Sequence, residues 1–328
     1  MRLPVLTLVL ALSIGLGCRS GSPTSPDGGA AVLAFSVSPI APSAIEFITP
    51  LGNLNPPDHT LPSDHIYFYH HLSHQAAPPF EVVAPAAGTV SSILSRNSDQ
   101  KVNVKVTSGI SYYLDHVLLD SSVTQGAQIT AGQRLGVTSS AAYALDLGVV
   151  NDGLSLGFIN PARYSSDSVH ADAPLKSFVE PLKSSLYALV QRTGSDKDGQ
   201  VCFDQAGHLA GGWFLDSLPV AQSAYFTSGP MELAFVRDVH DPSVVRISIG
   251  GTLAMTGIFG VAASDPDPAS ITPESGVVTY RLSHPAFGAP SGVLLVQMTA
   301  PDAIRVEAFP GATAGSVSFT AGSRTYVR

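Results

Sequence analysis

An all-β protein of two successive β domains is what the sequence predicts, and three observations predict it. Short apolar runs, FEVVAP, GTVSSIL, SYYLDHVLL, RLGVTS and ALDLGVV, are broken by Gly, Pro, Asn and Asp at intervals suited to strands and turns. The run KVNVKVT alternates strictly, which is the period of a half-buried strand. Only EPLKSSLYALVQRTG, residues 180–194, has helical spacing, with Leu182, Leu186, Leu189 and Val190 on one face, Pro181 in the first turn and Gly194 at the stop.

The elements follow in order. Residues 1–18 place Arg2 before an apolar stretch from Leu3 to Leu16, the layout of a secretory signal rather than a spanning helix. Residues 19–30, RSGSPTSPDGGA, are too rich in Gly, Ser and Pro to bury a core and suit a flexible tether. A first β domain is expected over 31–170, a helical connector over 171–199 and a second β domain, sandwich or small barrel, over 200–328. Its strands are read in MELAFVRD, VVRISIGG, VVTYRLS, GVLLVQMTA, AIRVEAFPG, SVSFTAG and RTYVR.

The signal ends in LGC, and Cys18 followed by polar residues resembles a bacterial lipoprotein signal, with Gly15 where leucine is usual. The resemblance implies a lipidated Cys18 and a cell-envelope location, periplasm or outer membrane, with membrane contact through that lipid only. An ordinary cleaved signal is the alternative. Cys202, in VCFD, reads as a small buried apolar residue, because no histidine-bearing partner motif marks it as a nucleophile.

Composition narrows the function. The chain of 328 residues is 45% hydrophobic and 13% charged, with 17 basic against 25 acidic residues and a formal net charge of −8. That size and apolar content support two buried cores, and no basic field is available to attract nucleic acid or anionic lipid.

Candidate chemistry begins with PPDHTLPSDHIYFYHHLSH, residues 56–74, which holds five of the ten histidines. Downstream, Ala84-Pro85 to Val90 reads A-P-x-x-G-x-V, and His116 follows tyrosines in YYLDHV. Val123, Gly126, Ile129, Gly132, Gln133 and Gly136 then form a glycine run spaced like two successive tight turns.

These motifs, over roughly residues 45–150, resemble the M23 zinc metallopeptidases, the lysostaphin-like enzymes that cut peptide cross-bridges in bacterial cell walls. The resemblance implies zinc as cofactor, peptidoglycan or cell-wall enzymes as partners, and His116 as a catalytic histidine. The family's first metal motif separates His from Asp by three residues. Here His59 and Asp64 are separated by four, with His65 adjacent, so His59 pairs with Asp64 or His65. The family's closing H-x-H is replaced by Ala144-Leu145-Asp146, so Asp146 stands at a zinc ligand's position and Ala144 at a catalytic histidine's. Carboxylate oxygen can replace imidazole at zinc, but alanine cannot move a proton. Two functions therefore fit: zinc-dependent peptidoglycan hydrolysis by a remodelled site, and a catalytically inactive M23-like binding or regulatory module.

The remaining signals read as structure. His70, His71 and His74 read as a solvated insert without ligand spacing. Asp64 alternatively caps a turn, and His65 alternatively packs on Tyr67 and Tyr69. FINPARY, residues 158–164, reads as a bracket closing the first domain, with substrate contact as the alternative. A Gly-x-Trp at Trp213 distantly resembles the first strand of lipocalin-like barrels, whose interiors hold small apolar ligands. Its plainer reading is a core anchor.

Overall fold

The computed structural model describes residues 33–70, 79–96, 98–224, 226–286 and 288–328. Cys18, His71 and His74 lie outside these residues. Ten short strands form one sheet: β1 (Phe47–Thr49), β2 (His65–Tyr69), β3 (Glu81–Val83), β4 (Gly88–Ser95), β5 (Gln100–Lys105), β6 (Ile110–Leu119), β7 (Gln128–Ile129), β8 (Arg134–Thr138), β9 (Ala144–Asn151) and β10 (Ala171–Asp172). Their order is β1-β2-β9-β6-β5-β4-β7, with β10 beside β9, and with β8 linking β3 to β6.

Strand periodicity gives this sheet two unlike faces. Ile66 and Phe68 of β2, Leu145, Leu147 and Val149 of β9, and Tyr112 and Leu114 of β6 enter one apolar core with Phe35, Val102 and Leu135. The alternate positions, His65 and Tyr67, Ala144 and Asp146, Tyr113 and Asp115, are in register across β2, β9 and β6 and line the other face. Gly126 and Gly132 adopt φ of 86° and 80°, the left-handed backbone that the two expected turns require.

The connecting helix is shorter than its periodicity predicts. α1 (Ser166–Val169) precedes it, and α2 spans only Leu182–Tyr187. Beyond Tyr187 the chain bonds to β1 instead: Ile48 N–H donates to Leu189 O at 2.9 Å and Gln191 N–H to Ile48 O at 3.0 Å. Pairing with a buried strand outweighs one further helical turn, and Leu186 and Val190 join the first core. Cys202 is buried in that core too, but as a disulfide-bonded cysteine rather than the plain apolar residue its sequence context suggests.

Residues 211–327 form a closed antiparallel barrel, so the choice between sandwich and barrel falls to the barrel. Its strands are β11 (Gly211–Leu215), β12 (Glu232–Arg237), β13 (Val245–Ile249), β14 (Gly257–Val261), β15 (Val277–Ser283), β16 (Pro290–Ala300), β17 (Ala303–Pro310) and β18 (Arg324–Val327), and β18 pairs back onto β11. One one-turn helix, α3 (Val220–Ser223), follows β11. SVSFTAG is not a strand. The Glu307 carboxylate there accepts Thr320 N–H at 2.7 Å, and Phe319 stacks under Arg305, which replaces ladder pairing with side-chain contacts.

Side chains of Trp213, Phe235, Tyr280, Leu294 and Tyr326 fill the barrel interior, the packing expected for eight strands. Trp213 anchors it: its indole N–H donates to Leu209 O at 2.8 Å, and Arg328 lies over its ring at 3.9 Å. The units meet through hydrogen bonds from Thr60 to Gly229 O at 2.7 Å and from Arg192 to Val239 O at 2.7 Å. Among the described residues no helix is long and apolar enough to cross a membrane.

Candidate functional site

The polar face of the β2-β9-β6 sheet floors a cavity of about 820 Å³ whose remaining walls come from the loop bearing His59, the segment around α1, and the barrel's Glu232 and Val236. His59, Asp64, His65, His116 and Asp146 all line it. His65 begins strand β2 rather than lying in a loop. Its β-favouring HIYFY pairs with β9, and Tyr67 stands opposite Asp146.

Asp146 is the centre, only 3% exposed. Its Oδ2 lies 3.3 Å from His65 Nε2 and 3.4 Å from His116 Nε2. Each imidazole is backed by another carboxylate: His65 Nδ1 is 3.0 Å from Asp64 Oδ1, and His116 Nδ1 is 2.5 Å from Asp99 Oδ2. Ionised carboxylates only accept, so each of these ring nitrogens serves its pair best as an N–H. The Tyr113 and Ser168 hydroxyls donate to Asp64 at 2.6 and 2.7 Å. The result is a line of alternating acid and imidazole, Asp64–His65–Asp146–His116–Asp99.

Local backbone explains how His116 reaches that line. Across β5 and β6, Val102 pairs with Leu114 and Gln100 with Val117, so Asp115 and His116 together oppose one residue. This is a bulge, and His116 carries φ of 66°, a left-handed conformation costly for a residue with a Cβ. The Asp115 carboxylate caps the turn by accepting His116 N–H at 2.7 Å.

Burial and charge act in opposition at these groups. Burial lowers the His65 pKa, but the Asp146 charge and the bonds to Asp146 and Asp64 outweigh it and hold the imidazole well above its usual value. Burial likewise raises Asp64, and its bonds from His65 and Tyr113 outweigh that, leaving it well below the carboxylate range. His59 goes the other way: burial, with the His65 charge beside it, lowers it to about 4. Its ring stands edge-on to His65 at 5.3 Å between centroids.

The predicted ligands are right in kind for zinc. A catalytic zinc takes three protein ligands and leaves one position open. Asp146 Oδ1 is buried without a hydrogen bond, whereas His65 Nε2 already faces Asp146 Oδ2 at 3.3 Å. The quartet His59, Asp64, His65 and Asp146 is not gathered into a cage. Among the described residues, the group with donor atoms all within 4.8 Å of one another is Asp99, Asp115 and His116. Arg96 already spans its two carboxylates, at 3.2 Å from Asp99 and 2.5 Å from Asp115. The residues as arranged do not fit a catalytic zinc. Ala144, 5% exposed, lies on the same strand face as Asp146 with no group to exchange a proton.

Several residues of the site escape sequence reasoning. Asp115 stands beside His116 and Asp99 sits in a turn-forming NSDQ, so both carried a local signal. Arg96, Tyr113, Ser168 and Glu232 carried none, since only tertiary pairing brings them in. His70 is buried, with its ring 5.4 Å from Phe80, and not solvated as expected, because its backbone N–H continues the sheet edge to Tyr143 O at 3.1 Å.

No family model matches the sequence, and no curated protein matches it. Several solved structures do. A zinc containing peptidase from Vibrio cholerae is similar over 38% of this chain and 39% of its own, at 16% identity and a TM-score of 0.30. A putative M23 peptidase from Pseudomonas aeruginosa is similar over 38% and 48%, at 22% identity and a TM-score of 0.26. Csd3 of Helicobacter pylori is similar over 37% and 33%, at 15% identity and a TM-score of 0.29. The chain thus spans under half the length of each of these M23-type and related neighbours.

Proposed function

We propose that the first unit is a divergent M23-like module of the cell envelope that binds cell-wall peptide without hydrolysing it. The observation that carries this is Asp146 held between two carboxylate-backed imidazoles, with Ala144 beside it. Hydrolysis needs a base to take a proton from water and a group to stabilise the developing charge. Here the imidazoles already face carboxylates on both sides, and Arg96 is committed to Asp99 and Asp115. The cavity remains, and its size suits a short peptide. The motif resemblance from Ala84 to Gly136 supports cell-wall peptide as the ligand class.

Zinc-dependent hydrolysis is the second reading; it would need His59, His65 and Asp146, which line one cavity, to draw together on a metal that their present arrangement does not fit. One experiment separates the two. Residues 31–328 are analysed for metal by mass spectrometry, incubated with peptidoglycan for muropeptide mass spectra, and sedimented with insoluble peptidoglycan. Binding with unchanged muropeptide masses is expected. Altered masses that revert in Asp146→Ala would overturn the proposal.

A further inference from the structure

FINPARY contributes a residue to the cleft that the Asp146 cluster leaves unused. Arg163 ends the turn Pro161–Arg163, is 6% exposed and lines the same cavity as Asp146 and His65. Its Nη1 donates to Leu218 O of the barrel at 3.2 Å, and its guanidinium lies over the Phe214 ring at 5.2 Å. The Nε edge is buried with no hydrogen bond, and no carboxylate of the described residues stands within ion-pair distance. Burial pulls the guanidinium below its usual pKa, with Asp216 only a distant counter-charge.

A buried cation without a counter-ion is costly, and proteins keep such groups where something supplies the missing partner. Arg163 Nε and Asp146 Oδ1 are buried polar atoms without hydrogen bonds, and both residues line this one cavity. The guanidinium fork matches a carboxylate better than any other common anion except phosphate, and Nη1 is already taken, so the Nε edge is the one left to receive it.

We propose that the cleft binds peptide through a free C-terminal carboxylate received at the Nε edge of Arg163. This rests on the reading of the cleft as a peptide-binding site and assigns the end of the peptide it selects. Arg163 is contributed by the first unit and held by the barrel, so the barrel takes part in selection by fixing the guanidinium in place.

The test is calorimetric titration of the full chain with N-acetyl-trialanine as the free acid and as its C-terminal amide. The free acid is expected to bind at least about ten-fold more tightly. In Arg163→Met the two are expected to bind alike, with near-ultraviolet circular dichroism confirming the fold. Equal affinities in the unaltered protein, binding of neither peptide, or a preference that survives in Arg163→Met would each overturn the inference. The comparison on the unaltered protein decides even if the variant does not fold. Sedimentation with insoluble peptidoglycan separates the two failures. A chain that still sediments but ignores the carboxylate keeps the peptide-binding reading and loses this inference, and a chain that does neither loses both.

Discussion

At Glu232 the cavity's second unit contributes a carboxyl group whose environment is opposite to that of Asp64. Asp64 is surrounded by donors, whereas Glu232 has burial against it and only the Ser228 hydroxyl for it, and its pKa rises from 4.5 to about 7. The folded state therefore holds this proton more tightly than the unfolded chain. Its contribution is fully present below pH 4.5 and is lost as pH rises through 7. Glu232→Gln keeps a hydrogen-bonding side chain and removes the charge. The variant is expected to match the parent at pH 4 and to exceed it at pH 8 by on the order of 3 kcal/mol. Urea melts at the two pH values check this, and a gap that does not widen with pH would refute the assignment. Glu232 also shows what the sequence could not display. Nothing in MELAFVRD marks its glutamate as buried, because an alternating strand tells which residues share a face and not what that face will meet.

Whole elements were more legible than their meeting points. KVNVKVT, VVTYRLS and AIRVEAFPG became strands because alternation is a local property, and VVTYRLS matches β15 end to end. The helix that periodicity predicts over 180–194 is longer than the one formed for the converse reason, since only Ile48 on a distant strand ends it early. β14 is not legible in the sequence because two glycines within the five residues GIFGV weaken the strand signal. The polar sheet face depends on one such glycine in β9. Tyr113 lies across Gly148, where a Cβ would overlap its ring, and this lets the Tyr113 hydroxyl reach Asp64. Gly148→Ala is therefore expected to move Tyr113 and remove its bond to Asp64, at a cost of about 2 kcal/mol or more from overpacking. The midpoint of urea denaturation should fall, and peptidoglycan sedimentation should weaken with it. If neither changes, the ring has room that the register does not reveal.

The whole molecule holds its cleft between two units, so what couples them matters to the site as much as the residues lining it. Arg192 is one such tie. It is buried on the first unit's side, donates to Asp196 O at 3.0 Å and reaches across to Val239 O at 2.7 Å and Asp238 O at 3.3 Å. His240 returns a contact to Gln191 O at 2.6 Å, and Thr193 N–H donates to His240 O at 2.7 Å. The single tryptophan, Trp213, lies inside the barrel, so its fluorescence reports unfolding of that unit alone, whereas far-ultraviolet circular dichroism reports both. With the tie intact, the two probes are expected to follow one transition. Arg192→Met removes the cation and leaves the part-buried carbonyls of Asp238 and Val239 without their donor, a loss of about 1 kcal/mol for each hydrogen bond. That is enough to separate two cores of different composition, and the expected result is two midpoints, tryptophan fluorescence departing from circular dichroism. Coincident transitions in the variant would place the coupling instead in the Thr60–Gly229 and Arg163–Leu218 contacts, which flank the cleft itself. A barrel tied there would hold Arg163 in position even when Arg192 is gone.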